Sequence, residues 1–131
     1  MNVRIILPLN LLAIALGGAI GSVARYLLTG VVVRASGPAF PLGTFVVNVA
    51  GCAAFGALAG AASSRISLAP EVRLFWFTGI FGGFTTFSSY AFESFTLVRE
   101  GHLIAAGANI VGQVVLGLVA LGFAYAVAAN H

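Results

Sequence analysis

Four long apolar stretches dominate the chain, and each is closed by a short segment of polar or turn-forming residues. The first runs from about Ile5 to Val33 and ends where Ser36, Gly37, Pro38 and Pro41 gather. The second covers about Leu42 to Ala62, followed by a polar connection of Ser63, Ser64, Arg65, Ser67 and Pro70. The third reaches from near Arg73 to about Val98; Arg99, Glu100, Gly101 and His102 then lead into the fourth, which continues to about Ala128. A helix rises about 1.5 Å per residue, so some 20 apolar residues cross a hydrocarbon core of about 30 Å. The pattern predicts an all-α membrane protein of four transmembrane helices, at about 5–33, 42–62, 73–98 and 103–128. Together they form one transmembrane domain over residues 1–131, with little chain left for a soluble part.

Composition sharpens this reading. Hydrophobic residues make up 60% of the chain and charged residues 7%, against roughly a quarter charged in soluble domains. The solvent is therefore lipid, which is the first expected partner. The 17 glycines suit membrane bundles, where close backbone approach replaces the hydrophobic effect as the source of packing energy. A net charge of +3 comes from six basic residues, all of them Arg and scattered singly between apolar runs. No basic patch exists to follow a phosphate backbone, which excludes nucleic acid as a partner. Cys52 is the single cysteine, so no disulfide framework or thiolate cluster forms within one chain. Arg4 before an apolar stretch with Ala13 and Ala15 resembles a secretory signal. The apolar sequence continues to about Leu28, however, and an uncleaved first helix is the simpler expectation.

Four spans place both termini on one side of the membrane. That side carries Arg4, Arg65 and Arg73; the other carries Arg34 and Arg99, with Arg25 if it snorkels outward. Such a balance gives almost no positive-inside bias. A chain of this kind inserts both ways, and two oppositely oriented copies pair about an axis in the membrane plane, like an inverted repeat. The alternative is that a weak bias still fixes one orientation.

The third stretch contains Gly79, Ile80, Phe81, Gly82, Gly83, Phe84, Thr85, Thr86, Phe87, Ser88, Ser89 and Tyr90 where a lipid-facing helix would be plain. Gly is costly in a helix, and Ser and Thr compete for its backbone hydrogen bonds. A break at mid-membrane is expected, with free carbonyls for cations and free amides for anions. The competing reading is that Gly79 and Gly83 only give a neighbouring helix a flat surface. It leaves the hydroxyl cluster unexplained, along with Phe87 and Tyr90, which share a helical face. Ring edges carry positive potential and can meet an anion in a dry site. Asn48 in the second span, and Asn109 and Gln113 on one face of the fourth, add amides at membrane depth. They are either interhelical glue or a narrow track of donors for a small, strongly hydrated anion. Arg25 can attract anions at a pore mouth or act as a snorkelling anchor. Glu93, one turn beyond Tyr90, is expected to be structural, as an anion path should not carry a bare carboxylate.

Three segments carry a resemblance to a known family: Gly17 to Tyr26, which includes Gly21 and Arg25; Gly43 to Gly51 around Asn48; and Gly79 to Tyr90. In this order and spacing they resemble the Fluc family of fluoride channels, also called CrcB proteins. The resemblance implies a fluoride-selective channel in the bacterial plasma (inner) membrane, giving passive fluoride efflux that protects against fluoride toxicity. It implies an antiparallel dual-topology homodimer with two pores and a structural sodium ion (Na+) at the dimer axis. The carbonyls of Gly82 and Thr85 would hold the sodium. Asn48 would be the pore amide, Phe87 the first fluoride-facing ring and Arg25 the vestibule arginine. Thr86, Ser88 and Ser89 match the family's hydroxyl positions, while Asn109 and Gln113 stand where other members carry Ser or His. Tyr90 departs from the usual second Phe, and its hydroxyl offers fluoride an ordinary hydrogen bond.

The closest alternative is a proton-coupled small dual-topology exporter, which needs a carboxylate in the first span; here there is none. A purely structural subunit would not require a broken helix with amides at matching depth. An enzyme is not expected: the chain has no Asp, and His102 and His131 lie at the edges of the apolar stretches, so no catalytic or metal-ligand constellation can be built.

Overall fold

A computed structural model describes residues 8–131; the expected start at Ile5 and the charge of Arg4 lie outside the described residues. Helix α1 spans Pro8–Ser36 and α2 spans Leu42–Ser64. Next comes α3, Pro70–Arg73, which runs on through a π-helical stretch, Leu74–Ile80, into α4, Phe81–Phe84. Thr85 and Thr86 are extended, with ψ 156° and 109°. Helices α5, Phe87–Arg99, and α6, Leu103–Asn130, complete the chain.

The helix ends follow local chemistry. Gly37 takes φ 77° after α1, and its N–H bonds to Val33 O at 2.8 Å; only a residue without Cβ enters this conformation freely. Gly101, at φ 82°, closes α5 the same way, with Gly101 N–H donating to Val98 O and His102 N–H to Leu97 O, the paired bonds of a Schellman motif. Four helix ends lie beyond those read from the sequence. Helix α1 continues past Val33 to Ser36, α2 past Ala62 to Ser64, α5 past Val98 to Arg99, and α6 past Ala128 to Asn130. Pro70 starts the third segment three residues before Arg73, because the first helical position needs no N–H and suits proline's fixed φ.

Helices α1, α2 and α6 are long and apolar enough to cross a membrane. The third apolar stretch is divided instead, into 70–84 and 87–99. In the π-helical part the bonds reach five residues back, as from Phe81 N–H to Trp76 O.

Packing is backbone on backbone. Helix α1 lies along the π-helical stretch and α4, and α2 lies along α6. A Cβ on Gly21 would overlap Ile80 O, and one on Gly56 would overlap Leu121 O. Only glycine permits these approaches, which supply the dispersion contacts that hold membrane helices together. Polarity is inverted relative to a soluble protein. Asn109 is fully buried, while Leu12, Leu16, Ile20, Val23, Leu27 and Val31 form an exposed stripe on α1, which lipid or another apolar surface must cover.

Candidate functional site

Two residues interrupt the helical path, and one side chain holds them. Thr86 N–H donates to Asn48 Oδ1 at 2.8 Å, and Asn48 Nδ2 donates to Thr86 O at 3.1 Å. The amide of Asn48 thus pairs with the Thr86 backbone as one extended strand pairs with another. Thr86 Oγ1 accepts from Ser89 N–H at 3.2 Å and caps α5, a role that Thr fills well. Ser88 and Ser89 belong to the first turn of α5, each within reach of Thr86 Oγ1.

These side-chain bonds change the carbonyls before them. In a continuous helix Thr86 N–H would bond to Gly82 O, and Ser89 N–H to Thr85 O. Both donors are taken by side-chain oxygens, so among the described residues neither carbonyl accepts a backbone hydrogen bond. Free carbonyl oxygens are the hard ligands that alkali and alkaline-earth cations take. One chain brings two of them to this point, fewer than the six or so oxygens of a full shell. The donor set fits a cation only if other oxygens join it.

The paired glycines are not where the chain opens. Gly82 and Gly83 are helical, and a Cβ on Gly83 would meet Gly18 of α1. Gly83 allows α1 to approach, while the hydroxyl residues after it carry the extended backbone.

The amides of the three helices meet one another. Asn48 Nδ2 donates also to Gln113 Oε1 at 2.7 Å, Gln113 Nε2 to Asn109 Oδ1 at 2.8 Å, and Asn109 Nδ2 to Ser94 Oγ at 2.9 Å. Ser94 Oγ in turn donates to Tyr90 O at 2.7 Å. Both N–H groups of Asn48 are therefore engaged, and Asn109 and Gln113 keep one each. The spine runs inside the bundle from α2 through α6 to α5. Ser94 was not singled out in the sequence, although it stands four residues after Tyr90, on the same face.

The two rings have different surroundings. Phe87 is 79% exposed and Tyr90 is 9% exposed, with centroids 5.4 Å apart and planes tilted by 46°. The Tyr90 hydroxyl donates to Ile110 O at 3.1 Å. Its proton is thereby directed to α6, and the expected hydrogen bond to an anion would have to displace that contact.

Beside the interruption lies a cavity of about 330 Å³, lined by Ser22, Arg25, Thr29, Thr44, Thr86, Ser89 and Glu93 among others. Arg25 and Glu93 face the same space without forming an ion pair. Thr44 Oγ1 donates to Glu93 Oε1 at 2.7 Å; Arg25 Nε and Glu93 Oε2 are buried without a partner. Such groups call for water or an ion within the cavity. Thr44 escaped the sequence reading, and its position four residues before Asn48 on one helix face was the available signal. Hydroxyls, one guanidinium, one carboxyl and the start of α5 line this polar chamber.

A family profile described as CrcB-like protein, Camphor Resistance (CrcB), matches residues 12–125. A protein of Methylobacillus flagellatus named fluoride-specific ion channel FluC is 50% identical over 117 residues, 87% of this chain and 91% of that protein. One of the same name from Nitratidesulfovibrio vulgaris is 49% identical over 112 residues, covering 86% and 90%. Another, from Chloroflexus aurantiacus, is 46% identical over 112 residues, covering 86% and 89%. The match spans the three motif segments and most of each membrane-length helix, and this multi-pass membrane protein belongs to the CrcB family.

Proposed function

We propose that the chain is a fluoride-specific ion channel of the bacterial inner membrane, through which fluoride leaves the cell passively. The observation that carries the reading is the interrupted helix at Thr85 and Thr86, clamped by Asn48 and bordered by the Arg25 chamber and the Phe87 ring. Fluoride holds its water tightly, so a path for it must offer replacement partners while letting the ion go. Arg25 draws the anion into the chamber, and Ser89, Ser88 and Thr86 supply hydroxyls. Phe87 then offers a ring edge, a weak partner that does not trap the ion. Asn48 acts at this path mainly by fixing the backbone, since its amide protons are engaged; Asn109 and Gln113 anchor it from behind, each with one N–H to spare.

In this reading the segment 70–99 is the third membrane crossing, broken at its middle, and residues 1–131 form one transmembrane domain. Two copies pair antiparallel in dual topology, and each completes the other's path. The orphaned carbonyls of Gly82 and Thr85, doubled by the second copy, would hold a sodium ion at the axis. Its positive charge would stabilise the pair of interrupted helices and balance the chamber's anion. A proton-coupled exporter finds no support in α1, which carries no carboxylate.

The test is fluoride efflux from liposomes containing the purified protein. Electrogenic efflux without a proton gradient, strongly favouring fluoride over chloride, is expected. Efflux that requires an opposing proton gradient would overturn the channel reading.

A further inference from the structure

At the end of the bundle opposite the connection between α5 and α6, the connection from α2 to α3 folds around a cavity of about 300 Å³. Its lining includes Arg65, Arg73, Ser67 and Leu68. Among the described residues neither arginine forms an ion pair. Glu71, the nearest carboxylate in sequence, does not line the cavity. Ser63 and Ser64 also border it, but both hydroxyls donate to Gly60 O. Among the described residues, the Ser67 hydroxyl and the backbone N–H groups of Ser67 and Leu68 meet no acceptor.

Two exposed arginines, together with Ser67 and Leu68, whose donors are unengaged among the described residues, therefore line one open cleft, with no carboxylate in its lining. Guanidinium is planar and matches the oxygens of a phosphate in paired, charge-assisted bonds. The connection joins the end of a membrane-length helix to the next crossing, so it lies at the depth of the lipid headgroups. We propose that this connection is a binding site for a phosphate group, carried by an anionic lipid headgroup or by free phosphate. The site is separate from the ion path and does not depend on what that path conducts.

Native mass spectrometry of the detergent-solubilised full chain tests the proposal, with phosphatidylglycerol and inorganic phosphate as separate probes. The parent should retain one of them, and Arg65→Gln with Arg73→Gln should weaken that retention about tenfold or more, as several charge-assisted bonds are lost. Retention of phosphatidylglycerol identifies a lipid site; retention of inorganic phosphate alone identifies a site for the free ion. Arg99→Gln, which removes an arginine from a different connection, should leave retention unchanged. Equal retention by parent and double variant, retention of neither probe, or an equal loss in Arg99→Gln would overturn the proposal.

Discussion

Replacing Asn48 with Leu separates a residue that holds the path from one that touches the ion. The side chains are close in size, so the change mainly removes three hydrogen bonds: two with the Thr86 backbone and one with Gln113. Interhelical hydrogen bonds in membranes average about 0.6 kcal/mol and reach about 1.7. Three of them give an expected loss of about 2–5 kcal/mol. Thr86 N–H and Thr86 O would then lose the partners that hold the extended segment. Stability can be followed by denaturant titration in detergent, using Trp76, the only tryptophan, as a fluorescence reporter. Protein concentration must be fixed, because any association shifts apparent stability. Faster hydrogen exchange at Thr86 should accompany the loss, together with loss of fluoride efflux. If Asn48→Leu stopped efflux while stability and Thr86 exchange stayed at parental values, Asn48 would be a direct ligand and the positioning argument would fail.

Other outcomes follow from the same geometry. Phe87→Ile should abolish efflux while stability changes by less than about 0.5 kcal/mol, because the ring is 79% exposed; parental efflux would sink the ring-edge argument. Tyr90→Phe should cost about 1 kcal/mol through the lost bond to Ile110 O and leave efflux intact, so silencing by this change alone would make the hydroxyl an ion ligand. Gly21→Val should cost about 3 kcal/mol, since its Cβ would overlap Ile80 O; unchanged thermal stability would contradict the α1 packing. Two Lys added beside Arg65 should lock one orientation and remove efflux, with recovery on co-expression of an oppositely biased variant. Full efflux from one locked form would exclude antiparallel pairing.

Much of the architecture could be read from the apolar stretches, because lipid forces backbone groups to bond within a helix and leaves length as the main variable. The segment 79–90 stood out in the sequence, but which of its residues leave the helical conformation did not. Gly82 and Gly83 looked like the breakers, yet both are helical, and α1 lies against Gly83; Thr85 and Thr86 carry the extended backbone. The π-helical form of Leu74–Ile80 was not foreseen, although the stretch includes Thr78 and Gly79 among its apolar residues. The amides were visible one helix at a time. Spacing placed Asn109 and Gln113 on one face, but the bond from Asn48 to Gln113 crosses 65 residues of sequence, and no periodicity within a helix reports which faces meet. Free donors were therefore expected where mutual satisfaction is found.

The two orphaned carbonyls also make stability a property of the surroundings. Oxygens that accept no backbone hydrogen bond are unfavourable in hydrocarbon, and the chain alone offers Gly82 and Thr85 no replacement from its backbone. Any solute that binds those oxygens only in the folded state adds its binding free energy to that of folding, in proportion to the logarithm of its concentration above the dissociation constant. The melting temperature in detergent is thus expected to follow the cation in the buffer. The preparation's history of salt exchange becomes as informative as its sequence.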